Sequence, residues 1–288
     1  MASRPHYSAE ALERQYDATL GVADVDAIQD GYRRASDEVA ASGHGVLDLE
    51  YGPDPLQRLD LFPVQGGGPA PVVVYIHGGY WKGGEKAGRR FPAPSYNDAG
   101  IAWAPINYRL SPSCAMDGIV ADVRAALAWL YRNGADYGID PDRIHVAGHS
   151  AGGHLTGMAL APGWHAEYGV PDDIVKGACA TSGVFDLEPM RRTSHQDNLA
   201  LDDAAAARNS PVRHPPAAPV PAVVAWGTRE SDEFRRQSED YAAALAAAGC
   251  DVTLIGAEGH DHFSIMGDMV RPDTPLGRAM LGLVRRAV

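Results

Sequence analysis

The sequence predicts an α/β fold with a mostly parallel central sheet and helices on both faces. From residue 72 onward, apolar segments of strand length alternate with segments of helical periodicity, which is the pattern of a parallel sheet covered on both sides. Residues 72–76, Val-Val-Val-Tyr-Ile, are continuously apolar, as in a central strand buried on both faces. A Gly-x-Ser-x-Gly motif at 148–152 lies between a short apolar segment and a helical one, which indicates a strand–turn–helix unit.

The first 45 residues predict a helical arm without strands. Ser8 is placed to cap a helix that carries Leu12 and Tyr16, and residues 25–39 have apolar side chains at helical spacing. Gly21 and the glycines of 43–45 punctuate the ends of these segments. We expect this arm to pack on the main domain, near the mouth of its active site.

The rest of the chain supplies strands and helices in alternation. Residues 46–51 and 57–62 alternate polar and apolar side chains around the turn-rich 52–55, which predicts an antiparallel hairpin at a sheet edge. The other elements follow from apolar runs and helical periodicity. The predicted strands are 72–76, 101–106, 144–147, 174–181, 221–226 and 252–255, and the predicted helices are 120–131, 153–160, 238–248 and 275–288.

The domain organisation follows from length and from the order of these elements. A chain of 288 residues is a normal length for one α/β domain, so we expect a single domain over 1–288. Within it, 1–45 is the arm and 184–215 is a cap or insert. Residues 211–221 are too proline-rich for regular structure, and we expect a surface connection there.

Composition excludes several classes of function. The net charge of −12 argues against binding to nucleic acid or to an anionic membrane surface. The N-terminal residues contain no apolar segment of a secretory signal, and no apolar run reaches 18 residues. The three cysteines, Cys114, Cys179 and Cys250, are widely spaced, which fits a reducing compartment. We therefore expect a soluble cytoplasmic protein.

Ser150 is the candidate nucleophile. A serine on a sharp strand-to-helix turn presents its hydroxyl to solvent or substrate, and Gly148 and Gly152 allow a turn too tight for side chains. Such a serine needs a general base, an acid that orients the base, and N–H donors for the oxyanion.

The oxyanion donors are predicted after the strand 72–76, which ends in His-Gly-Gly-Tyr-Trp at 77–81. Gly78 and Gly79 allow the backbone to approach a carbonyl oxygen, and Ala151 N–H follows the nucleophile. Tyr80 and Trp81 are candidates for an aromatic substrate site, although Trp81 packing in the core is an equal alternative. His149 adjoins Ser150 and is a further candidate for lining the pocket.

The acid and the base are predicted after two later strands. Glu230 and Asp232 follow the strand 221–226, and His260 and His262 follow the strand 252–255. The carboxyl ends of parallel strands lie at one edge of the sheet, where sites in open α/β sheets form. The residues alone leave two acids and two histidines open.

The chain resembles the hormone-sensitive-lipase-like esterases of the α/β-hydrolase superfamily in its His-Gly-Gly at 77–79, its Asn-Tyr-Arg-Leu-Ser-Pro at 107–112 and its serine motif. It is more specifically similar to the arylformamidase (kynurenine formamidase) group. That group carries His-Gly-Gly-Tyr-Trp, as at 77–81, and Gly-His-Ser-Ala-Gly, as at 148–152. Further matching segments lie at 12–16, 182–189, 230–238 and 261–263.

The resemblance implies the α/β-hydrolase fold and a triad of Ser150, Glu230 and His262. The family has Asp where this chain has Glu230. Because glutamate is longer by one methylene, Asp232 stays an alternative acid.

The implied activity is acyl transfer to water without a metal or an organic cofactor. By resemblance, the substrate is N-formyl-L-kynurenine, which would give kynurenine and formate. A carboxylesterase for short-acyl esters is the alternative, and a non-catalytic ligand-binding protein on a hydrolase scaffold would predict a broken triad. The expected partner is thus a small-molecule ester or amide, and the chain is compatible with a homodimer.

Overall fold

A computed structural model describes residues 6–66 and 68–286 and places an eight-stranded sheet between two layers of helices. The strands are β1 (Val46–Glu50), β2 (Arg58–Leu61), β3 (Ala70–Ile76), β4 (Ala102–Ile106), β5 (Ile139–His149), β6 (Val175–Thr181), β7 (Ala222–Gly227) and β8 (Val252–Ala257). Their order in the sheet is β1-β2-β4-β3-β5-β6-β7-β8. The β1–β2 and β2–β4 pairs are antiparallel and the other pairs are parallel. The predicted fold class and the edge hairpin are confirmed.

Ten helices of the described residues connect and cover these strands. They are α1 (Ala9–Gln15), α2 (Val25–Ala41), α3 (Ala93–Asp98), α4 (Met116–Asn133), α5 (Ala151–Leu160), α6 (His165–Tyr168), α7 (Gln196–Leu199), α8 (Asp203–Arg208), α9 (Asp232–Ala247) and α10 (Pro275–Arg286). Short 3₁₀ helices span Ala87–Arg89, Gly134–Tyr137, Pro189–Arg192, Pro211–Arg213 and Ser264–Val270. Residues 1–5 of the predicted arm and 287–288 of the predicted last helix lie outside the described residues.

The sheet separates two hydrophobic layers. One contains buried side chains of α1, α4, α5 and α9, and the other contains those of α3, α10 and the 3₁₀ helix Ser264–Val270. All seven residues of β3 are buried, because helices cover both of its faces. No helix in the described part of the chain is long and apolar enough to cross a membrane.

Of the helix starts that differ from the sequence prediction, two lie beside the site. Helix α5 begins at Ala151, directly after Ser150, and not at 153. Helix α9 begins at Asp232, well before 238, because the Ser231 hydroxyl caps its first turn by accepting from Phe234 N–H. The second difference makes Asp232 a helical residue, which bears on the choice of acid.

Candidate active site

Ser150 lies on a strained turn between β5 and α5. Its backbone has φ 58° and ψ −120°, a conformation that non-glycine residues rarely adopt. A Cβ on Gly148 would lie 2.2 Å from the carbonyl oxygen of Gly152, and one on Gly152 would lie 1.9 Å from that of Ile76. Only glycine fits on either side of the serine, so the motif is required by the geometry of the turn.

Glu230 and His262 form a buried pair at the same edge of the sheet. Glu230 Oε1 is hydrogen-bonded to His262 Nδ1, and the two side chains are 1% and 4% exposed. The other carboxylate oxygen, Oε2, accepts from Ser182 Oγ at 2.9 Å and from Gly227 N–H at 2.7 Å. Three hydrogen bonds therefore fix the carboxylate, and with it the imidazole.

This arrangement sets the tautomer of His262. Because a carboxylate accepts at Nδ1, the proton lies on Nδ1 and the lone pair lies on Nε2, as a general base requires. The imidazole is also held by neighbouring rings, with the centroids of Phe234 and His149 each 4.6 Å away. His262 is thus oriented by both hydrogen bonding and packing.

The two alternatives left open by the sequence lie elsewhere. The Asp232 side chain is 74% exposed on the first turn of α9, 3.6 Å from Arg235. His260 lies 3.1 Å from Asp268 and does not line the cavity that contains Ser150. The structure brings Glu230 and His262 together and leaves Asp232 and His260 apart from them.

The predicted oxyanion donors surround Ser150. A Cβ on Gly78 would lie 2.9 Å from Ser150 Cβ, so the backbone after β3 runs directly against Ser150. Gly79 has φ +126°, which turns the chain sharply there. Among the described residues, the N–H groups of Gly78, Gly79 and Ala151 have no hydrogen-bond acceptor. Unused N–H groups beside a candidate nucleophile could stabilise an oxyanion.

The three residues predicted to bind substrate have different environments. Tyr80 lines the cavity, stacks on His195 with ring centroids 3.8 Å apart, and donates its hydroxyl to the carbonyl of Tyr16. His149 also lines the cavity. Trp81 is fully buried and does not line it. Its indole N–H donates to His154 Nδ1 at 3.1 Å, which favours the alternative that Trp81 packs in the core.

A cavity of about 240 Å³, called here the Ser150 cavity, joins these groups. Its walls include Ser150, His262 and the 78–80 turn. Ala18 and Gln29 of the N-terminal arm complete it, together with Arg89. A larger cavity of about 320 Å³ lies at the far end of α5, beside residues 216–220. The candidate site belongs to the smaller one, because Ser150 and His262 line it and do not line the larger one.

Several residues of this site were not predicted from the sequence, among them Ser182, Ala18, Gln29 and Arg89. Ser182, in the left-handed conformation at φ 50°, anchors Glu230 from the end of β6, and its position after a parallel strand was a usable signal. Ala18, Gln29 and Arg89 reach the cavity through tertiary packing, which no local pattern indicates. Within residues 6–66 and 68–286, no group of His, Cys, Asp or Glu side chains is arranged to bind a metal ion.

Comparisons with known proteins show what the chain is similar to. The BD-FAE family model matches residues 59–243. Kynurenine formamidase of Danio rerio is 31% identical over 271 residues, covering 92% of this chain and 89% of its own. Esterase LipQ of Mycobacterium tuberculosis is 33% identical over 70% of this chain and 53% of its own.

A solved structure is similar over nearly its whole length. A protein from Silicibacter sp. TM1040, described as a thioesterase, has a TM-score of 0.82 and 25% identity, covering 95% of this chain and 98% of that one. Together with the sequence relatives, it confirms the resemblance and the α/β-hydrolase fold. The chain is a hydrolase.

Proposed function

We propose that this chain, which belongs to the BD-FAE family of α/β-hydrolases, is a serine hydrolase that uses Ser150, His262 and Glu230 as its catalytic triad. One observation carries the proposal. Ser150, on its strained turn, shares a cavity with His262, whose Nδ1 is held by the buried carboxylate of Glu230. This is the arrangement that activates a serine for attack on a carbonyl.

The proposed mechanism follows from these positions. His262 Nε2 takes the proton of Ser150 as the hydroxyl oxygen attacks the substrate carbonyl. The N–H groups of Gly78, Gly79 and Ala151 stabilise the tetrahedral oxyanion, while Glu230 stabilises the imidazolium. The imidazolium then protonates the leaving group, and water releases the acyl group by the same steps.

We propose N-formyl-L-kynurenine as the substrate, which would give formate and kynurenine. The formamidase of Danio rerio, which matches most of this chain, supports this assignment. The size of the Ser150 cavity supports it as well. At about 240 Å³ the cavity is smaller than the roughly 300–1,000 Å³ of most ligand sites. A formyl group is the smallest acyl group, so it suits a nucleophile crowded by Gly78.

A carboxylesterase for short-acyl esters is the second candidate. The similarity to LipQ, an esterase, favours it. The same triad and the same oxyanion donors would serve, because ester and amide hydrolysis share a tetrahedral intermediate. The two candidates differ in the acyl group, formyl or a longer one, and in the leaving group, an aryl amine or an alcohol.

Steady-state kinetics separate the two. We expect a higher kcat/KM on N-formyl-L-kynurenine than on p-nitrophenyl acetate, with both activities lost in Ser150→Ala. The Asp232→Asn variant, changed outside the cavity, should match the wild type. Ester cleavage with negligible formamide turnover would overturn the formamidase assignment and keep the esterase. Full activity in Ser150→Ala would overturn the triad.

Three expectations stay predictions. They are a single domain with the arm 1–45 and the cap 184–215, a cytoplasmic location, and a homodimer. Two contacts support the first of them, since Ser194 N–H donates to Glu13 at 2.8 Å and Arg192 to the carbonyl of Tyr7 at 3.2 Å. The arm and the proposed cap thus meet directly.

A further inference from the structure

Arg89, in the wall of the Ser150 cavity, is a cation without an acidic partner. Its guanidinium donates to two uncharged oxygens, the carbonyl of Gly88 at 2.9 Å and Gln29 Oε1 at 3.0 Å. Its Nε is buried and has no hydrogen-bond partner. Within the described part of the chain, Arg89 forms no ion pair. A partly buried cation without a carboxylate partner lowers the stability of the fold, and such an arrangement is typical of a binding site.

The neighbouring cations of the same segment are paired. Lys86 Nζ is hydrogen-bonded to Asp60, which is fully buried, and to Asp48 at 2.6 Å. Arg90 Nε contacts Asp60 at 2.6 Å. Segment 86–90 therefore contains three cations, and only the one that lines the cavity lacks a carboxylate.

The acids near Arg89 are already engaged. Asp261 and Asp268 act electrostatically on Tyr32 together with Arg89, so both lie in the neighbourhood of Arg89. Asp261 accepts N–H bonds from Phe263 and Ser264 at 3.1 and 2.8 Å. Asp268 is paired with His260. Neither acid forms an ion pair with Arg89 in the described part of the chain.

The positive charge of Arg89 acts on two buried histidines, His149 and His77. Burial lowers the pKa of His149 well below its usual value, and the charges of His262 and Arg89 lower it further. Burial also lowers the pKa of His77 to about 4, with a smaller contribution from Arg89. Both histidines are therefore neutral near pH 7, so they add no positive charge beside Arg89.

Gln29 is arranged to assist an anion. Its Oε1 accepts from Arg89, so its amide N–H₂ remains as a donor at the same wall. A guanidinium and an amide side by side offer N–H groups to a carboxylate, and charge-assisted hydrogen bonds of this kind are the strong ones.

We propose that Arg89, with Gln29, binds a carboxylate on the leaving group of the substrate. The inference rests on the proposed function, because a formyl group cannot itself carry the anion and the leaving group must. The enzyme then selects aryl formamides or aryl esters whose leaving group is anionic over neutral ones of the same size.

A pair of matched esters tests this directly. The probes are 3-acetoxybenzoate, with a carboxylate on the leaving group, and its neutral methyl ester. We expect Arg89→Met to lower kcat/KM on the anionic probe by about 10- to 100-fold, the loss of one charge-assisted contact, and to change the neutral probe by less than about twofold. Arg34→Met, which removes an exposed arginine from α2, is the matched control and should change neither.

Gln29→Glu is the second variant, for the case in which Arg89→Met does not fold. It places a carboxylate beside Arg89 and should lower kcat/KM on the anionic probe alone. Equal effects on both probes, or none, would overturn the inference. Selectivity for the anionic ester without turnover of N-formyl-L-kynurenine would overturn the formamidase assignment and leave the role of Arg89 standing.

Discussion

At the scale of single residues, Glu230 stands where the resemblance to the arylformamidase group implies an Asp. Its longer side chain is accommodated because Ser182 and Gly227 hold Oε2 while Oε1 faces His262. Asp232 is shorter, but it lies exposed on α9 and cannot orient the imidazole from there.

Two substitutions test which of the two acids orients His262. Glu230→Gln keeps the shape but removes the charge that stabilises the imidazolium, so we expect kcat on p-nitrophenyl acetate to fall by about 10³–10⁴-fold. Asp232→Asn should retain kcat within about twofold. Loss of activity in Asp232→Asn with activity retained in Glu230→Gln would reverse the assignment.

At the scale of elements, the turn after β3 and the N-terminal arm build the cavity together. The arm is tied down by Tyr16, whose hydroxyl donates to Glu233 at 2.9 Å and accepts from Gln237 at 2.7 Å. The carbonyl of Tyr16 in turn accepts from Tyr80. The arm thereby fixes Tyr80, which lies in the turn beside Ser150.

The closeness of this turn to Ser150 makes Gly78 sensitive to one added methyl group. In Gly78→Ala the Cβ would meet His149 O at 2.8 Å and Ser150 Cβ at 2.9 Å, so the backbone must move and an oxyanion donor is displaced. We expect kcat to fall by about 10²–10³-fold. Gly31→Ala, where nothing lies within 4 Å of the added Cβ, should keep wild-type kcat. A Gly78→Ala enzyme of normal kcat would remove this turn from the oxyanion hole.

At the scale of the whole molecule, much of the fold was predictable and part of the site was not. The alternation of apolar strands with helices predicted the parallel sheet, because strands buried on both faces consist of continuous apolar residues. The positions of Ser150, Glu230 and His262 followed, since each comes after a parallel strand. Arg89 and Gln29 were not predictable, because only the packing of the arm against the sheet edge brings them to the cavity.

Buried histidines make the stability of the whole molecule depend on pH. Burial lowers the pKa of His77, His145 and His154 to about 4 each, against about 6.5 in the unfolded chain. The unfolded chain therefore binds more protons once the pH falls below about 6.5, and stability decreases from there down to about pH 4. We expect each histidine to cost about 1–2 kcal/mol at pH 5 relative to pH 7.5.

Urea unfolding at pH 7.5, 6 and 5 measures this decrease. His154→Gln can still accept from Trp81 and donate to Asn209, but glutamine does not titrate. The decrease in stability at low pH should therefore be smaller by the contribution of one histidine. His44→Gln, at an exposed position, should retain all of it. A free energy of unfolding that is constant from pH 7.5 to 5 would contradict the assignment of neutral buried histidines.

Labelling with a fluorophosphonate, followed by intact-mass and peptide mass spectrometry, tests whether Ser150 is a nucleophile activated by His262 and Glu230. We expect one adduct per chain, located on Ser150, formed much more slowly in Glu230→Gln and at the wild-type rate in Asp232→Asn. An unlabelled protein, or an adduct on any other residue, would contradict it.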